Sequence, residues 1–258
     1  MFISNLFSLE GQVAVVIGGG GVLAGAMAEG FALAGARVVI VGRTPEKTEA
    51  RVESIRAQGQ QAIGVNGDMS RKADLERALD ETMQAFGRVD VLLNGAGINS
   101  ATPFFDISEE EWHKIIDVDL TSVFFACQIF GKAMVESGNG GSIINISSAS
   151  SDPPLSRVFT YSIAKGGVNQ LTKFLARELA PQRVRVNAIL PGFFPAEQNR
   201  KLLTADRTEA IMRHTPMARF GDADELVATA IYLASAKASS FVTGAIVRVD
   251  GGFGAMTI

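Results

Sequence analysis

The chain has 258 residues, enough for one large domain with a substantial buried core. It is 47% hydrophobic and 20% charged, with a formal net charge of −3 and no Lys/Arg run; this argues for a soluble globular protein and against nucleic acid or an anionic membrane as partner. Cys127 is the single cysteine, which excludes an intramolecular disulfide, disfavours a cysteine-based metal site and fits a reducing cytoplasm.

The N-terminal "MFISNLFSLEG" is apolar but short. It lacks a basic start and a small-residue cleavage pattern, and is not read as a signal peptide. No apolar run approaches the length needed to span a bilayer. Strands are predicted at Val13–Ile17, Arg37–Val41, Gln61–Val65, Val89–Asn94, Ser142–Ser147, Arg183–Leu190 and Ala245–Asp250. Their near-continuous hydrophobicity suggests cover on both faces. Helices are predicted between them at 24–34, 46–58, 71–86, 109–137, 157–180, 197–213 and 223–235. This alternation predicts a single α/β domain, a Rossmann-type doubly wound parallel sheet of seven strands.

"GGGG" (Gly18–Gly21) stands between the first strand and the first helix. Glycines there permit a tight turn and close backbone approach, and the helix start offers N–H groups to a pyrophosphate. At the end of strand two, Gly42 occupies the position where a carboxylate would accept the ribose hydroxyls of NAD, and Arg43 follows. A missing acid beside a guanidinium favours a 2′-phosphate, hence NADP(H), with NAD(H) open if Arg43 is only a solvated loop residue.

Further along come "GD" (Gly67–Asp68), "NGAG" (Asn94–Gly97), "NISS" (Asn145–Ser148), "YSIAK" (Tyr161–Lys165), "VRVNAILPG" (Val184–Gly192) and the tail "SSFVTGAIVRVDGGF". In this order, with Ser148 ahead of Tyr161, they make the chain resemble the short-chain dehydrogenase/reductase family along essentially its whole length. The resemblance implies Tyr161 as acid/base, Lys165 as the group that lowers its pKa and binds the nicotinamide ribose, and Ser148 as the group that orients the substrate carbonyl. The chemistry is consistent: positions i and i+4 share a helix face, and an ammonium beside a phenol favours phenolate. The implied cofactor residues are Gly18, Gly20, Gly21, Val22, Leu23, Arg43, Asp68, Met69, Asn94, Gly95, Ala96, Gly97, Pro191, Gly192 and Phe194, together with Tyr161 and Lys165. A homotetramer built partly on the helices around 109–137 and 157–180 is implied as well.

Several positions depart from the family pattern, Ile17 at the start of the glycine turn among them. Val22 and Ala24 replace the later glycines of the turn, Asp119 stands where a helix asparagine supports the proton relay, and Ala196 replaces a threonine near the nicotinamide. A carboxylate at Asp119 can hold a water or pair with Lys165. Together the changes keep open a second class of function, a nucleotide-binding protein that reduces nothing.

The segment at about 193–220 covers the substrate in this family. Here "FFPAEQNRKLL", "HTPMARFG" and "PLSRV" resemble the fructuronate reductase (D-mannonate oxidoreductase) branch, which acts on sugar acids. Arg157 and Arg200 are the candidates for clamping a carboxylate, or else surface ion-pair residues; Asn99, Ser150 and Gln198, with Glu197 and Asn199, are candidates for hydroxyls. Polyol, keto-sugar or 3-oxoacyl reduction is the alternative. His113 and His214 show no metal spacing, and no metal is expected.

Overall fold

A computed structural model describes residues 2–195 and 204–256. Its strands are β1 (Val13–Ile17), β2 (Arg37–Gly42), β3 (Ala62–Asn66), β4 (Val91–Asn94), β5 (Gly141–Ile146), β6 (Val184–Pro191) and β7 (Ile246–Val249). They form one parallel sheet in the order β3-β2-β1-β4-β5-β6-β7. This is the doubly wound α/β fold that the sequence predicts. The central strands are β-branched and buried on both faces: every residue of β1 and every residue of β6 is buried.

The helices are α1 (Phe2–Leu6), α2 (Val22–Leu33), α3 (Pro45–Ala57), α4 (Lys72–Phe86), α5 (Glu109–Ile116), α6 (Ser122–Ser137), α7 (Phe159–Leu179), α8 (Ala205–His214), α9 (Val227–Ala234) and α10 (Ala236–Ser239). Strand residues alternate between two apolar layers. Ala14, Val16, Val38 and Ile40 meet Met27 and Phe31 of α2 and Leu233 of α9 on one side. Val13, Val15, Val39 and Ile143 meet Leu75 of α4, Phe130 and Met134 of α6 and Val168 of α7 on the other. The chain reverses direction across the sheet between β1 and β4. The carboxyl ends of those strands therefore open a crevice, the usual ligand position in such sheets.

The structure differs from the sequence reading at several places. The helix predicted at 109–137 is continuous but carries a π-helical turn, Asp117–Thr121, between α5 and α6. Its apolar character is also greater than the sequence reading allows. Glu109–Ser137 is long and apolar enough, by composition alone, to cross a membrane, and half of the most apolar window is buried within the fold. Packing of α6 against the sheet accounts for that composition. The helix predicted to start at 157 starts instead at Phe159, because Arg157 takes φ +66° and cannot belong to it. The short helix α1 has no counterpart among the predicted elements. It has no buried residue and is tied down by polar contacts, Ser235 Oγ to the Leu6 carbonyl and Lys237 Nζ to Asn5 Oδ1.

Candidate active site

The glycine turn leads from β1 into α2. Gly18 has φ +78°, its N–H donates to the Val41 carbonyl, and a Cβ there would lie 2.7 Å from the Ala96 nitrogen. Only glycine fits a left-handed position pressed against another backbone. Gly21 is the N-cap of α2 and contributes no side-chain cap, so the first-turn N–H groups have no side chain from the cap position. Val22 opens the helix with its side chain partly exposed. Ala24 packs where a Cβ on Gly95 would sit, 2.7 Å away. The close approach of helix and strand is thus provided by Gly95.

The cleft beyond this turn is walled by Gly18, Gly21, Val22, Leu23, Gly95, Ala96 and Gly97 on one side and by Pro191, Gly192 and Phe194 on the other. Asn99, Ser148, Ser150, Tyr161 and Lys165 line the same cleft. The structure thereby brings together most of the residues singled out in the sequence. Gly20, Arg43, Asp68 and Met69 stand apart from this cleft: Gly20 packs on the Lys47 backbone, Arg43 is exposed, Met69 is buried, and Asp68 Oδ1 accepts from Ser70. Asn94 is also not at the cleft surface. It is buried, donates to Asn145 Oδ1 across 2.8 Å and to Cys127 Sγ across 3.4 Å, and Asn145 in turn donates to Thr172 Oγ1.

Tyr161 and Lys165 lie one turn apart on α7. Lys165 is buried; its Nζ donates to the Ile146 carbonyl across 3.1 Å and lies 5.6 Å from the centre of the Tyr161 ring. Ser148 follows β5, and its Oγ accepts from both the backbone N–H and the hydroxyl of Ser150. Asp119 sits on the π-helical turn, fully buried. Its Oδ1 accepts from the Ile98 N–H across 2.7 Å, and its Oδ2 has no hydrogen-bond partner among the described residues. A Cβ on Gly97 would lie 3.3 Å from Asp119 Oδ1 and 3.4 Å from Lys165 Nζ, so carboxylate and ammonium flank one glycine.

These neighbours set the charge balance. Burial pushes the Asp119 carboxyl up to about 6, against the pull of Lys165 and of the Ile98 N–H. Burial lowers the Lys165 pKa, opposed by Asp119. The expectation that Lys165 brings the Tyr161 pKa down is not met in the ligand-free chain. Burial raises it, the Asp119 carboxylate raises it further, and only the Ser148 hydroxyl pulls it down. The Asp119 carboxylate thus acts on both groups, favouring the charged form of Lys165 and the neutral form of Tyr161.

The arginines are arranged differently from the sequence reading. Arg157, in its left-handed conformation, lines a neighbouring apolar groove with Phe104 and Phe159 and does not line the cleft. Arg200 and Gln198 lie outside the described residues, as do Ala196, Glu197 and Asn199. Arg207 of α8, not singled out in the sequence, lines the cleft. Nothing in "RTEAIMRH" distinguishes it from a surface helix arginine. Leu155, Val158, Phe193 and Phe220 complete the apolar part of the wall and likewise carry no local signal.

The crevice fits a dinucleotide: the turn would be blocked by any side chain at Gly18, and the helix start and buried Lys165 supply the donors. Comparisons agree. A family model described as enoyl-(acyl carrier protein) reductase matches residues 21–254. The chain is 39% identical to the uncharacterised oxidoreductase UxuB of Bacillus subtilis (strain 168), over 95% of this chain and 96% of that protein. It is 35% identical to 5-keto-D-gluconate 5-reductase of Escherichia coli (strain K12), over 96% and 98% respectively. Among solved structures, a gluconate 5-dehydrogenase from Burkholderia cenocepacia J2315, in complex with NADP and tartrate, superposes with a TM-score of 0.94 at 34% identity, covering 99% of this chain and 100% of that one.

Proposed function

The chain belongs to the short-chain dehydrogenase/reductase family, and from that premise we propose that it interconverts a secondary alcohol and a ketone on a sugar acid, with NADP(H) as the favoured cofactor. The observation that carries the reading is the convergence of Ser148, Tyr161 and Lys165 on one cleft. The sugar-acid part is supported by the names of the relatives and by the polar lining from Asn99 and Ser150. The family model's own description keeps an acyl-thioester substrate as the comparison to be tested.

The nicotinamide, when bound, supplies or accepts the hydride. Everything else falls to the chain. The Gly18 turn and the start of α2 would hold the pyrophosphate, Arg43 the 2′-phosphate, and Lys165 the nicotinamide ribose. Ser148 donates to the substrate oxygen and fixes it beside the Tyr161 phenol. In reduction, Tyr161 gives its proton to that oxygen; in oxidation, its phenolate takes the proton of the alcohol. Asp119 and Lys165, flanking Gly97 behind the phenol, are placed to pass the proton on.

We also propose a homotetramer in the cytoplasm. The exposed rings of Phe124 on α6, Phe174 on α7 and Phe241 near the C-terminus support association, and the need for a soluble nicotinamide pool supports the compartment.

The test is an assay of NADPH oxidation against 5-keto-D-gluconate and related keto-acids, keto-sugars and 3-oxoacyl thioesters, repeated with Tyr161→Phe. Turnover of a keto-acid in the wild type, with a loss of orders of magnitude in the variant and unchanged NADPH affinity, is the expected result. Near-normal turnover by Tyr161→Phe, or activity confined to acyl thioesters, overturns the reading.

A further inference from the structure

Several of the described arginines have an acidic partner. Arg51 pairs with Glu29, Arg77 with Asp74 and Glu81, Arg88 with Asp90 and Arg219 with Glu225. Arg207 differs. It is half-buried in the cleft wall, and among the described residues its hydrogen bonds run to Ser156: NH2 to the carbonyl across 3.0 Å and NH1 to Oγ across 3.4 Å. Among the described residues no carboxylate pairs with it. Among the described residues the charge that acts on it is another cation, Arg157, and burial and that repulsion both disfavour its charged form. Two guanidiniums within range of each other, one of them facing the reaction cleft, form a site with a deficit of negative charge.

We infer that Arg207 is the residue that recognises the substrate carboxylate, holding it from α8 while the reacting carbon sits between Ser148 and Tyr161. This rests on the sugar-acid function proposed for the cleft and replaces Arg157, one of the two arginines singled out in the sequence; the other, Arg200, lies outside the described residues. The Ser156 contacts occupy only part of the guanidinium's donor set and fix its plane, leaving N–H groups for a bidentate carboxylate contact. An anion there satisfies those donors and relieves the repulsion from Arg157 at the same time. A neutral hydroxymethyl group in the same place does neither, so the arrangement discriminates by charge.

The experiment compares 5-keto-D-gluconate with L-sorbose, which carries a hydroxymethyl group where the acid carries its carboxylate. It uses wild type, Arg207→Met, Arg207→Lys and Arg157→Met. A charge-assisted contact in a partly closed site corresponds to a loss of roughly thirty- to a hundredfold in kcat/KM on the acid for Arg207→Met, with a change under about threefold on L-sorbose. Arg207→Lys recovers part of the loss, and Arg157→Met costs less than Arg207→Met. A second readout is independent of turnover: tartrate affinity of the NADP-loaded protein, measured by calorimetry, falls in Arg207→Met and much less in Arg157→Met. Wild-type protein indifferent to the carboxylate sinks the sugar-acid reading and this assignment together. A wild type that prefers the acid, with Arg207→Met keeping that preference or Arg157→Met losing more of it, sinks the assignment alone.

Discussion

The Ser150 hydroxyl donates to Ser148 Oγ across 2.9 Å, and the Ser150 backbone N–H donates to the same oxygen across 3.2 Å. A hydroxyl oxygen has two lone pairs and one proton. With both pairs engaged by Ser150, the proton of Ser148 is left to point at whatever oxygen lies between it and Tyr161. Ser150 therefore sets the direction of the hydrogen bond that holds the carbonyl. Ser150→Ala keeps the backbone donor and frees one lone pair. It should lower kcat by roughly three- to tenfold, the worth of one neutral hydrogen bond, with NADPH affinity unchanged. An unaltered kcat would show that Ser148 is oriented by the substrate alone.

Asp119 acts on the same phenol from the other side. Its carboxylate raises the Tyr161 pKa, and an amide in its place removes that contribution. Oxidation of the alcohol needs phenolate, so its kcat/KM rises with pH through the Tyr161 titration. Asp119→Asn should move that limb to lower pH and improve oxidation at neutral pH relative to reduction, which uses the protonated phenol. A profile that stays in place, or moves to higher pH, would show that Asp119 does not act on the phenol through its charge.

The same carboxyl has a stability consequence. Its folded pKa, about 6, lies above the ordinary aspartate value of 3.8. Between those values the folded state binds more protons than the unfolded state, so stability declines as pH rises through this window. Asp119→Asn escapes the decline. The variant should match the wild type near pH 4 and exceed it by up to about 2–3 kcal/mol at pH 7.5. Denaturant titrations at the two pH values check the sign. Equal stabilities at pH 7.5 would place Asp119 in a more polar setting than its burial implies.

Cofactor choice turns on the end of β2. A Cβ at Gly42 would lie 2.8 Å from Thr48 Oγ1, a buried hydroxyl without a hydrogen-bond partner among the described residues. Gly42→Asp thus places a carboxylate where the adenosine ribose is expected, with a donor beside it once Thr48 rotates. Combined with Arg43→Ala, which removes the guanidinium, it should shift the ratio of kcat/KM for NADPH over NADH by more than about tenfold toward NADH. A wild type that already prefers NADH would show that Arg43 is a surface residue.

What the sequence makes legible depends on where each signal resides. Strands such as β1 and β6 read as strands because burial on both faces demands unbroken apolar, branched residues. Ser148, Tyr161 and Lys165 read as a set because short-range spacing on one helix and one strand end carries their geometry. Asp119 can be named from the sequence but not placed: a π-helical turn inserts its extra residue without disturbing the composition of 109–137. Helical spacing assigns Arg157 to the first turn of α7, and the +66° φ that removes it leaves no mark in "PLSRV". Arg207 is brought to the cleft only by tertiary packing of α8. Its approach to Ser156, 51 residues earlier, has no local signature.

Asn145 has a structural role within a motif that is otherwise catalytic. Its Oδ1 accepts from Asn94 and its Nδ2 donates to Thr172 Oγ1 across 2.9 Å, tying β4 and β5 to α7. All three side chains are buried, so a partner that loses its Asn145 bond cannot replace it with water. Asn145→Leu keeps the volume and removes both contacts. It strands the Thr172 hydroxyl with only its bond to the Val168 carbonyl and leaves Asn94 with only the weak Cys127 acceptor. The expected loss is about 2–4 kcal/mol, which for a chain of this size is a fall in Tm of roughly 5–15 °C. Because α7 also carries Tyr161 and Lys165, kcat should fall with it while KM for NADPH changes little, the cofactor turn lying on β1 and α2. A variant with wild-type Tm and reduced kcat would separate Asn145 from the framework and assign it to the proton path instead.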